Sequence, residues 1–527
     1  MREIEDIGSY DVIVIGSGMA GLMAGNGLVE KGYRVLMLEK HAIPGGYTTN
    51  FERKGFRFEA SNHVVNGCEP GGMTYEQLAK IGAQDRVEFI KIDSFGRMVD
   101  ETRGTDCERP WAVDEHVDML VKLFPAEEDG IRRYYEKYEA MATALLASYR
   151  VGADQDAELL GKLAEAAQEF MALKSRKAKH VLEESFSDPE LIRLMTAIGS
   201  GFLGTSYEEV DAAMLVMCDM VFRVNGGDAY YPKGGSGRMS QVVADHFQER
   251  GGRLLLKRGV TEIEFSGGRA TGVIARKREH EYLSASARCV VCASDLTTLV
   301  NQLCAEGTFP AEYVKSVNQR VPGISAVILF VGLDIDVRDR GITGGKIGRI
   351  WGEERSQALF DEVARSGEYS RLPLANATIY SNIDPSCCPP GKSVVTTMVL
   401  AEPGLFERAL DPGRKRGKAY KELKQRLTSQ LLEKMSRALG MADLEHHIEV
   451  LELATPITLE RYTANRGGAY VGWKYSPEQA QDYFPQESPV ENLFLCGHWV
   501  APGGGVSNVM VGGNNAAEIA DRYLRSR

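Results

Sequence analysis

The stretch YDVIVIGSGMAGLMAGNGLVEKGYRVLMLEK, residues 10–40, decides the fold. Residues 11–15 form a short apolar run typical of a buried strand, and a helical pattern and a second apolar strand follow. Between the first strand and the helix, Gly16 permits a tight turn and Gly18 lets backbone approach a pyrophosphate. Gly21 lets the helix pack closely on the strand. The stretch therefore predicts a βαβ unit that binds a dinucleotide.

The start of the predicted helix and the end of the second strand supply the other two elements of such a site. Met19 and Ala20 begin the helix, where free N–H groups and the positive end of the helix dipole attract phosphates. Glu39 follows the second strand, at the position of an acid that accepts hydrogen bonds from the adenosine ribose. This motif alone leaves the choice between NAD and FAD open.

The next segment, HAIPGGYTTNFERKGFRFEASNHVVNG (residues 41–67), carries a family resemblance. The acid-lysine pair Glu39-Lys40, then Pro-Gly-Gly with Gly45 and Gly46, then Gly-Phe-Arg-Phe resembles the FAD-dependent family of phytoene desaturases, carotenoid isomerases and retinol saturases. That family lies within the amine oxidase and glutathione reductase-like flavoprotein superfamily. The resemblance implies FAD as the cofactor, with Gly45 and Gly46 close to its pyrophosphate and ribityl chain.

The same resemblance extends to the stretch LFLCGHWVAPGGGVSNVMVGGNNAAEIADRYL, residues 493–524. In the family this block is a strand, a glycine, a loop and a helix whose N-terminus meets the flavin ring, where N–H groups face the pyrimidine edge. His498 stands where relatives commonly have Asp, so its contact with the cofactor stays open. The resemblance implies cofactor contacts from Gly497, Gly505, Val506 and Ser507 in this block, and a backbone contact of Val260 with the adenine. His498 is a further candidate contact.

We therefore predict an α/β fold with a Rossmann-like FAD-binding domain of the glutathione reductase type and an inserted α+β substrate domain. Apolar residues at helical spacing before residue 222 predict a helical cover, and the strand-like runs ISAVILFVGLDI and SVVTTMVLA predict a sheet beneath it. The FAD domain is predicted from residues 1–105, 222–305 and 478–527, and the substrate domain from residues 106–221 and 306–477.

Candidate catalytic groups lie in two segments near the predicted flavin. If FRFEASNHVV is one strand, Glu59 and His63 share a face, and either side chain could exchange a proton beside a hydride transfer. Tyr470, within TANRGGAYVGWKYS, is a candidate wall of the substrate site. Polar residues at a domain seam would give the same pattern at Glu59 and His63, so both interpretations stay open.

Composition excludes several other classes of protein. The 527 residues carry a net charge of −11, which disfavours binding to nucleic acids or to anionic membranes. No secretory leader and no apolar run of membrane-spanning length is visible, so we expect a cytoplasmic protein. A peripheral membrane contact stays open, because some members of the resembled family touch membranes. Cys289 and Cys292 form a CxxC in a strand-like run, where they point to opposite faces, so we expect no metal site there.

The resemblance implies a lipophilic small-molecule substrate of the carotenoid, retinoid or fatty acyl type. Desaturation, saturation and cis/trans isomerisation all occur in that family, and no motif separates them. A flavin amine oxidase is the enzymatic alternative. A carrier of the type of Rab escort proteins and GDP-dissociation inhibitors is the non-enzymatic alternative, although the intact glycines and Glu39 favour retained FAD. The sequence gives no indication of the oligomeric state.

Overall fold

The computed structural model describes residues 3–61, 64–148, 157–203, 205, 208–480 and 483–527. Its strands are β1 Glu3–Ile15, β2 Val35–Leu38, β3 Asn50–Arg53, β4 Phe56–Glu59, β5 Phe89–Lys91, β6 Ser94–Asp100, β7 Thr105–Pro110, β8 Tyr230–Pro232, β9 Arg253–Leu255, β10 Gly259–Ser266, β11 Arg269–Arg278, β12 Glu281–Cys292, β13 Ser325–Leu333, β14 Lys346–Ile350, β15 Leu374–Ile379, β16 Ser393–Ala401, β17 Ile448–Ala454 and β18 Leu493–Leu495.

The α-helices are α1 Met19–Glu30, α2 Met73–Ala79, α3 Val113–Leu123, α4 Glu128–Ala147, α5 Ala157–Lys174, α6 Ala178–Ser185, α7 Pro189–Leu203, α8 Ala212–Met220, α9 Ser236–Glu249, α10 Leu296–Thr298, α11 Ala311–Gln319, α12 Gln357–Ser366, α13 Tyr380–Ile383, α14 Pro403–Glu407, α15 Lys418–Leu439, α16 Pro456–Thr463, α17 Pro477–Ala480 and α18 Val506–Arg525. Within the described ranges, none of these helices is both long and apolar enough to cross a bilayer.

The first sheet has the strand order β10-β11-β12-β1-β2-β9, and β18 lies beside the end of β12. Strands β9, β2, β1, β12 and β18 run parallel, and β10, β11 and β12 form an antiparallel meander. Val12 and Val14 of β1 pack toward α1, α9 and α18, whereas Ile13 and Ile15 pack on the opposite side. Both faces are therefore covered, as a parallel sheet requires.

The buried sheet confirms that the two cysteines of the CxxC pair face opposite sides of a strand. Cys289 packs in the core shared with α1 and α18, and Cys292 packs in the core on the other face. The two thiols thus point to opposite sides of β12, because successive side chains alternate along a strand.

The second sheet has the order β17-β13-β16-β15-β14-β6-β7 and is antiparallel except where β14 meets β6. The core under α12 and α15 takes Val327, Leu329 and Val331 of β13, and the opposite core takes Ile328 and Phe330. Strands β6 and β7 belong to this sheet, and β7 begins at Thr105, where the first predicted segment of the FAD domain ends. The predicted division into domains stays a prediction.

Helices α3 to α8 form a cover with its own apolar core. Tyr134, Tyr135 and Tyr138 of α4 lie within that core, together with Val471 and Tyr475 from the segment that precedes β18. The helical cover therefore touches the part of the chain that leads back into the first sheet.

Candidate functional site

The turn between β1 and α1 has the geometry that its glycines predict. Gly16 has φ +94°, a conformation that other residues rarely adopt, and its N–H donates to the carbonyl oxygen of Leu38 at 2.8 Å. A Cβ on Gly21 would overlap the carbonyl oxygen of Gly16, so the helix lies against the turn only because residue 21 has no side chain.

Gly18 is a glycine for a different reason. Its φ of −61° suits any residue, and a Cβ built on it would meet no protein atom within 4 Å. Neither backbone conformation nor protein packing therefore requires glycine, and open space lies along this residue. Gly18 is also the N-cap of α1, and no side chain caps the helix, although Met19 and Ala20 are buried. Open space beside uncapped N–H groups is the arrangement that binds a phosphate.

Glu39 is buried next to this turn and is held in place by three donors. Its Oε2 accepts from the N–H of Ser17 at 2.7 Å and from the Ser17 hydroxyl at 2.9 Å, and its Oε1 accepts from the N–H of His41 at 2.7 Å. Each carboxylate oxygen has lone pairs beyond these bonds, so the fixed carboxylate can accept further hydrogen bonds from a ribose.

The loop that leads into β10 runs beside Glu39. The N–H of Arg258 donates to the carbonyl oxygen of Glu39 at 2.7 Å, which brings Val260, near the start of β10, to the same end of the sheet. Lys40 differs from its neighbours, because its ammonium donates to the carbonyl oxygen of Arg461 at 3.0 Å. The contact of Lys40 is thus with the chain itself, at the seam with α16.

The Pro-Gly-Gly segment closes over the start of α1. The N–H of Gly45 donates to the carbonyl oxygen of Ser17 at 2.8 Å, and Gly45 has φ +117°. A Cβ on Gly46 would lie 3.3 Å from the Cα of Gly18, so the two backbones are close neighbours. Gly16, Gly18, Gly45 and Gly46 therefore converge on one place.

Helix α18 begins at a second uncapped N-terminus. Gly505 is its N-cap, without a side-chain hydrogen bond, and Val506 packs against a small cluster around Val65. The Ser507 hydroxyl donates to Oδ1 of Asn66 at 2.9 Å and lies 2.8 Å from the Thr74 hydroxyl. Sequence analysis missed Asn66 and Thr74, because nothing in their local pattern marks them.

His498 lies in the loop between β18 and α18, after Gly497. Its Nε2 lies 3.1 Å from Oδ1 of Asn465, which also accepts from the indole N–H of Trp499 at 2.8 Å. Burial lowers the pKa of His498 to about 4, so the ring is neutral at pH 7. The ring of Tyr47 lies 6.1 Å from the His498 ring, centroid to centroid. The sequence analysis did not identify Tyr47 as a neighbour of His498. Tyr47 directly follows Gly46, which we assign to the cofactor site, and this position was the available signal.

Tyr470 lies where the second sheet and the helical cover meet. It packs against the apolar cores of both, and Cys218 of α8 packs against the cover core beside it. Burial raises the pKa of Tyr470 above its usual range, so the hydroxyl keeps its proton at neutral pH. A neutral tyrosine in apolar surroundings can donate a proton or a hydrogen bond to a bound molecule.

Glu59 lies elsewhere, at the start of α9. Its carboxylate accepts from Asn50 Nδ2 at 2.6 Å, the Tyr231 hydroxyl at 2.6 Å, the Ser236 N–H at 2.8 Å and the Ser236 hydroxyl. These bonds make Glu59 a buried cap of α9. Strand β4 ends at Glu59, and the prediction that Glu59 and His63 share a face stays a prediction. His63 itself lies outside the described residues.

Comparison with known proteins identifies the cofactor that this arrangement fits. The family model for flavin containing amine oxidoreductases matches residues 19–520. The chain belongs to that family. It is an FAD-dependent oxidoreductase, as the family resemblance of residues 39–67 predicts.

Among curated relatives of this flavin oxidoreductase, prolycopene isomerase 2 of an Oncidium hybrid cultivar is 25% identical and covers 97% of this chain and 84% of its own length. All-trans-retinol 13,14-reductase of Danio rerio is 25% identical, and the match covers 92% of this chain and 82% of the reductase. Phytoene dehydrogenase of Streptomyces griseus is 28% identical, with coverages of 96% and 94%.

A solved structure shows the same fold. Putrescine oxidase bound to putrescine has a TM-score of 0.61 and is 14% identical, covering 97% of this chain and 98% of its own. The likeness confirms the predicted Rossmann-like fold with an inserted substrate domain, and at this identity it carries no information about the substrate.

Proposed function

We propose that this flavin oxidoreductase acts on carbon–carbon double bonds of a lipophilic, unsaturated small molecule by desaturation, saturation or cis/trans isomerisation. Three relatives named for an isomerase, a reductase and a dehydrogenase of polyenes align with 92–97% of the chain, and this observation carries the proposal. The apolar surroundings of Tyr470 support it, because a lipophilic polyene needs an apolar site.

We assign the cofactor contacts to the two uncapped helix starts and to the glycines between them. Met19 and Ala20 would donate to the FAD pyrophosphate across the open space at Gly18, and Glu39 would accept from the adenosine ribose. Bound FAD supplies hydride exchange at its N5. The remaining contacts assigned to the cofactor are the backbones of Gly45, Gly46, Val260, Gly497, Gly505, Val506 and Ser507.

Two side chains near Gly497 have contrasting proton chemistry. His498 is neutral at pH 7 and its ring contacts both Asn465 Oδ1 and the Tyr470 backbone, so its single N–H is already engaged. Tyr470 retains its proton and is partly buried against the cores of the second sheet and the helical cover. Tyr470 is therefore our candidate proton donor, and His498 our candidate positioning residue for the loop before α18.

The experiment is product analysis with all-trans-retinol and a poly-cis carotene, using protein whose flavin is either oxidised or reduced with dithionite under argon. A product with one double bond more or fewer, or a changed cis/trans ratio, supports the proposal and names the reaction. Hydrogen peroxide formed with putrescine or benzylamine, without any polyene product, would instead assign amine oxidation.

Tyr470→Phe tests the proton donor, with Tyr462→Phe at an exposed tyrosine as the matched control. We expect Tyr470→Phe to lower turnover about 100-fold and to leave FAD content unchanged. Equal turnover in the two variants would remove Tyr470 from the mechanism.

A further inference from the structure

A second polar site lies between the edge of the second sheet and the helical cover. Arg109 of β7 and Lys346 of β14 both lie over the ring of Phe95, with the Arg109 Cζ at 4.8 Å and the Lys346 Nζ at 4.0 Å from its centroid. A third cation, Arg223, follows α8 and lies 5.9 Å from the ring centroid of Trp111. Three cations therefore share one small, largely buried volume.

The cluster has fewer anions than cations. Asp219 pairs with Arg223, whose Nε lies 2.8 Å from its Oδ1, and its other oxygen accepts from the Tyr135 hydroxyl at 3.1 Å. Within the described residues, no carboxylate lies within 4.0 Å of Arg109 or Lys346. Arg109, which is buried, and Lys346, which is partly buried, therefore form no direct ion pair with the described chain.

Two hydrogen-bond donors without an acceptor in the described part of the chain lie in the same cluster. Arg109 is only 6% exposed and its Nε has no acceptor among the described residues, and the same holds for the indole N–H of Trp111. Burial and the Arg109 charge lower the pKa of Lys346 to about 8, and burial lowers the pKa of Arg109 to about 10. A buried donor without a partner is costly, so donors of this kind are usually satisfied by a ligand or water.

Two pairs of consecutive residues connect the cluster of Arg109, Lys346 and Arg223 with the start of α18 and with Tyr470. Val64 packs against Trp111, and Val65 packs with Val506 at the start of α18. The second pair is on α8, which connects the same two regions. Its Cys218 packs in the core beside Tyr470, while the adjacent Asp219 pairs with Arg223.

We propose that Arg109 and Lys346 bind the carboxylate of an acidic, lipophilic polyene, whose apolar body extends from this site toward Tyr470. The inference rests on the proposed function and adds the chemistry of the substrate's polar end. The guanidinium of Arg109 offers a planar fork of donors that matches a carboxylate, and Lys346 adds a point charge beside it. A neutral alcohol such as retinol would interact less strongly with either positive charge.

The test compares two probes with the same polyene body and different ends, all-trans-retinoic acid and all-trans-retinol. Binding to the FAD-loaded protein is followed by quenching of tryptophan fluorescence, because Trp111 lies in the cluster. Variants Arg109→Met and Lys346→Met remove one charge each and keep most of the side-chain volume. Arg97→Met is the matched control, because Arg97 lies on neighbouring β6 in an exposed ion pair with Asp106.

We expect the wild-type protein to bind the acid with a Kd about tenfold or more below that of the alcohol. Each cluster variant should raise the Kd of the acid about tenfold and leave that of the alcohol within about threefold, whereas Arg97→Met should change neither. Equal Kd values for the two probes in the wild-type protein would overturn the inference and leave the proposed function standing.

Two further outcomes separate the proposals. A protein that binds neither probe contradicts the proposed function as well as the anion site. An unchanged acid affinity in both variants together with a lowered melting temperature assigns Arg109 and Lys346 to the fold alone. If Arg109→Met does not fold, the Lys346→Met variant tests the anion site by itself, because Lys346 lies on a different strand, β14.

Discussion

Replacing Gly18 by alanine should separate cofactor binding from folding. An alanine Cβ at this position meets no protein atom within 4 Å, and φ −61° is ordinary for alanine. Alanine loses less backbone entropy on folding than glycine does, by about 0.4–1 kcal/mol, but it is a poorer N-cap by a similar amount. The two effects oppose each other, so the free energy of unfolding of the apoprotein should change by less than about 1 kcal/mol.

The effect on FAD should be much larger. The methyl group would occupy the space that we assign to the pyrophosphate, and overpacking of a close-fitting site costs about 1–3 kcal/mol. Since 1.4 kcal/mol is a factor of ten in a binding constant, the Kd for FAD should rise about 5- to 150-fold. Titration of the apoprotein with FAD, followed by flavin fluorescence, measures the Kd, and urea unfolding of the same apoprotein measures its stability.

Two other glycines provide matched controls. Gly161 lies on α5 with nothing within 4 Å of a built Cβ, so Gly161→Ala should leave FAD affinity unchanged. A Cβ on Gly21 would overlap the Gly16 carbonyl oxygen, so Gly21→Ala should destabilise the apoprotein itself. If Gly18→Ala destabilised the apoprotein as Gly21→Ala does, or bound FAD as tightly as the wild type, the reasoning about open space at Gly18 would be refuted.

Three further predictions follow from buried polar groups. Glu59→Ala leaves the donors at the start of α9 without their acceptor and should lower the free energy of unfolding by about 3 kcal/mol in urea, whereas Glu52→Ala, at an exposed position on β3, should change it little. Because the pKa of His498 falls from 6.5 unfolded to about 4 folded, the unfolded state binds more protons between these values, so stability should fall as pH drops from 6.5 to 4. His498→Gln should show a shallower fall across that window in thermal melts, and an equal slope would contradict the assignment. Lys346, with a pKa of about 8 beside Arg109, should lose its proton between pH 7 and 9, so the affinity for retinoic acid should fall over that range while that for retinol stays constant.

Local pattern was sufficient for the parts of the molecule whose structure is local. The βαβ unit around Gly16, Gly18 and Gly21 follows from apolar periodicity and glycine spacing, and the opposite faces of Cys289 and Cys292 follow from strand alternation. The structure has the predicted strand, turn and helix at residues 11–30, and one strand, β12, that contains both cysteines.

Contacts between distant segments could not be predicted in this way. The sequence around Glu59 indicates a strand, but nothing near it indicates that the start of α9, at Ser236, would lie against the carboxylate. The same limit applies to the cation cluster, because Arg109 and Lys346 meet only through the pairing of the second sheet. Topology, rather than any local preference, determines such neighbours.

The parallel sheet of the FAD domain has a consequence for synthesis in the cell. Val12 of β1 lies beside Cys289 of β12, and Val291 of β12 lies beside Phe494 of β18, so the sheet joins segments that are far apart in the chain. Contacts of such long sequence separation form slowly, and apolar strands stay exposed until their partners emerge. Strand β12 therefore lacks its β18 neighbour until residues 493–495 have left the ribosome, and the apolar strands made before then need protection from aggregation.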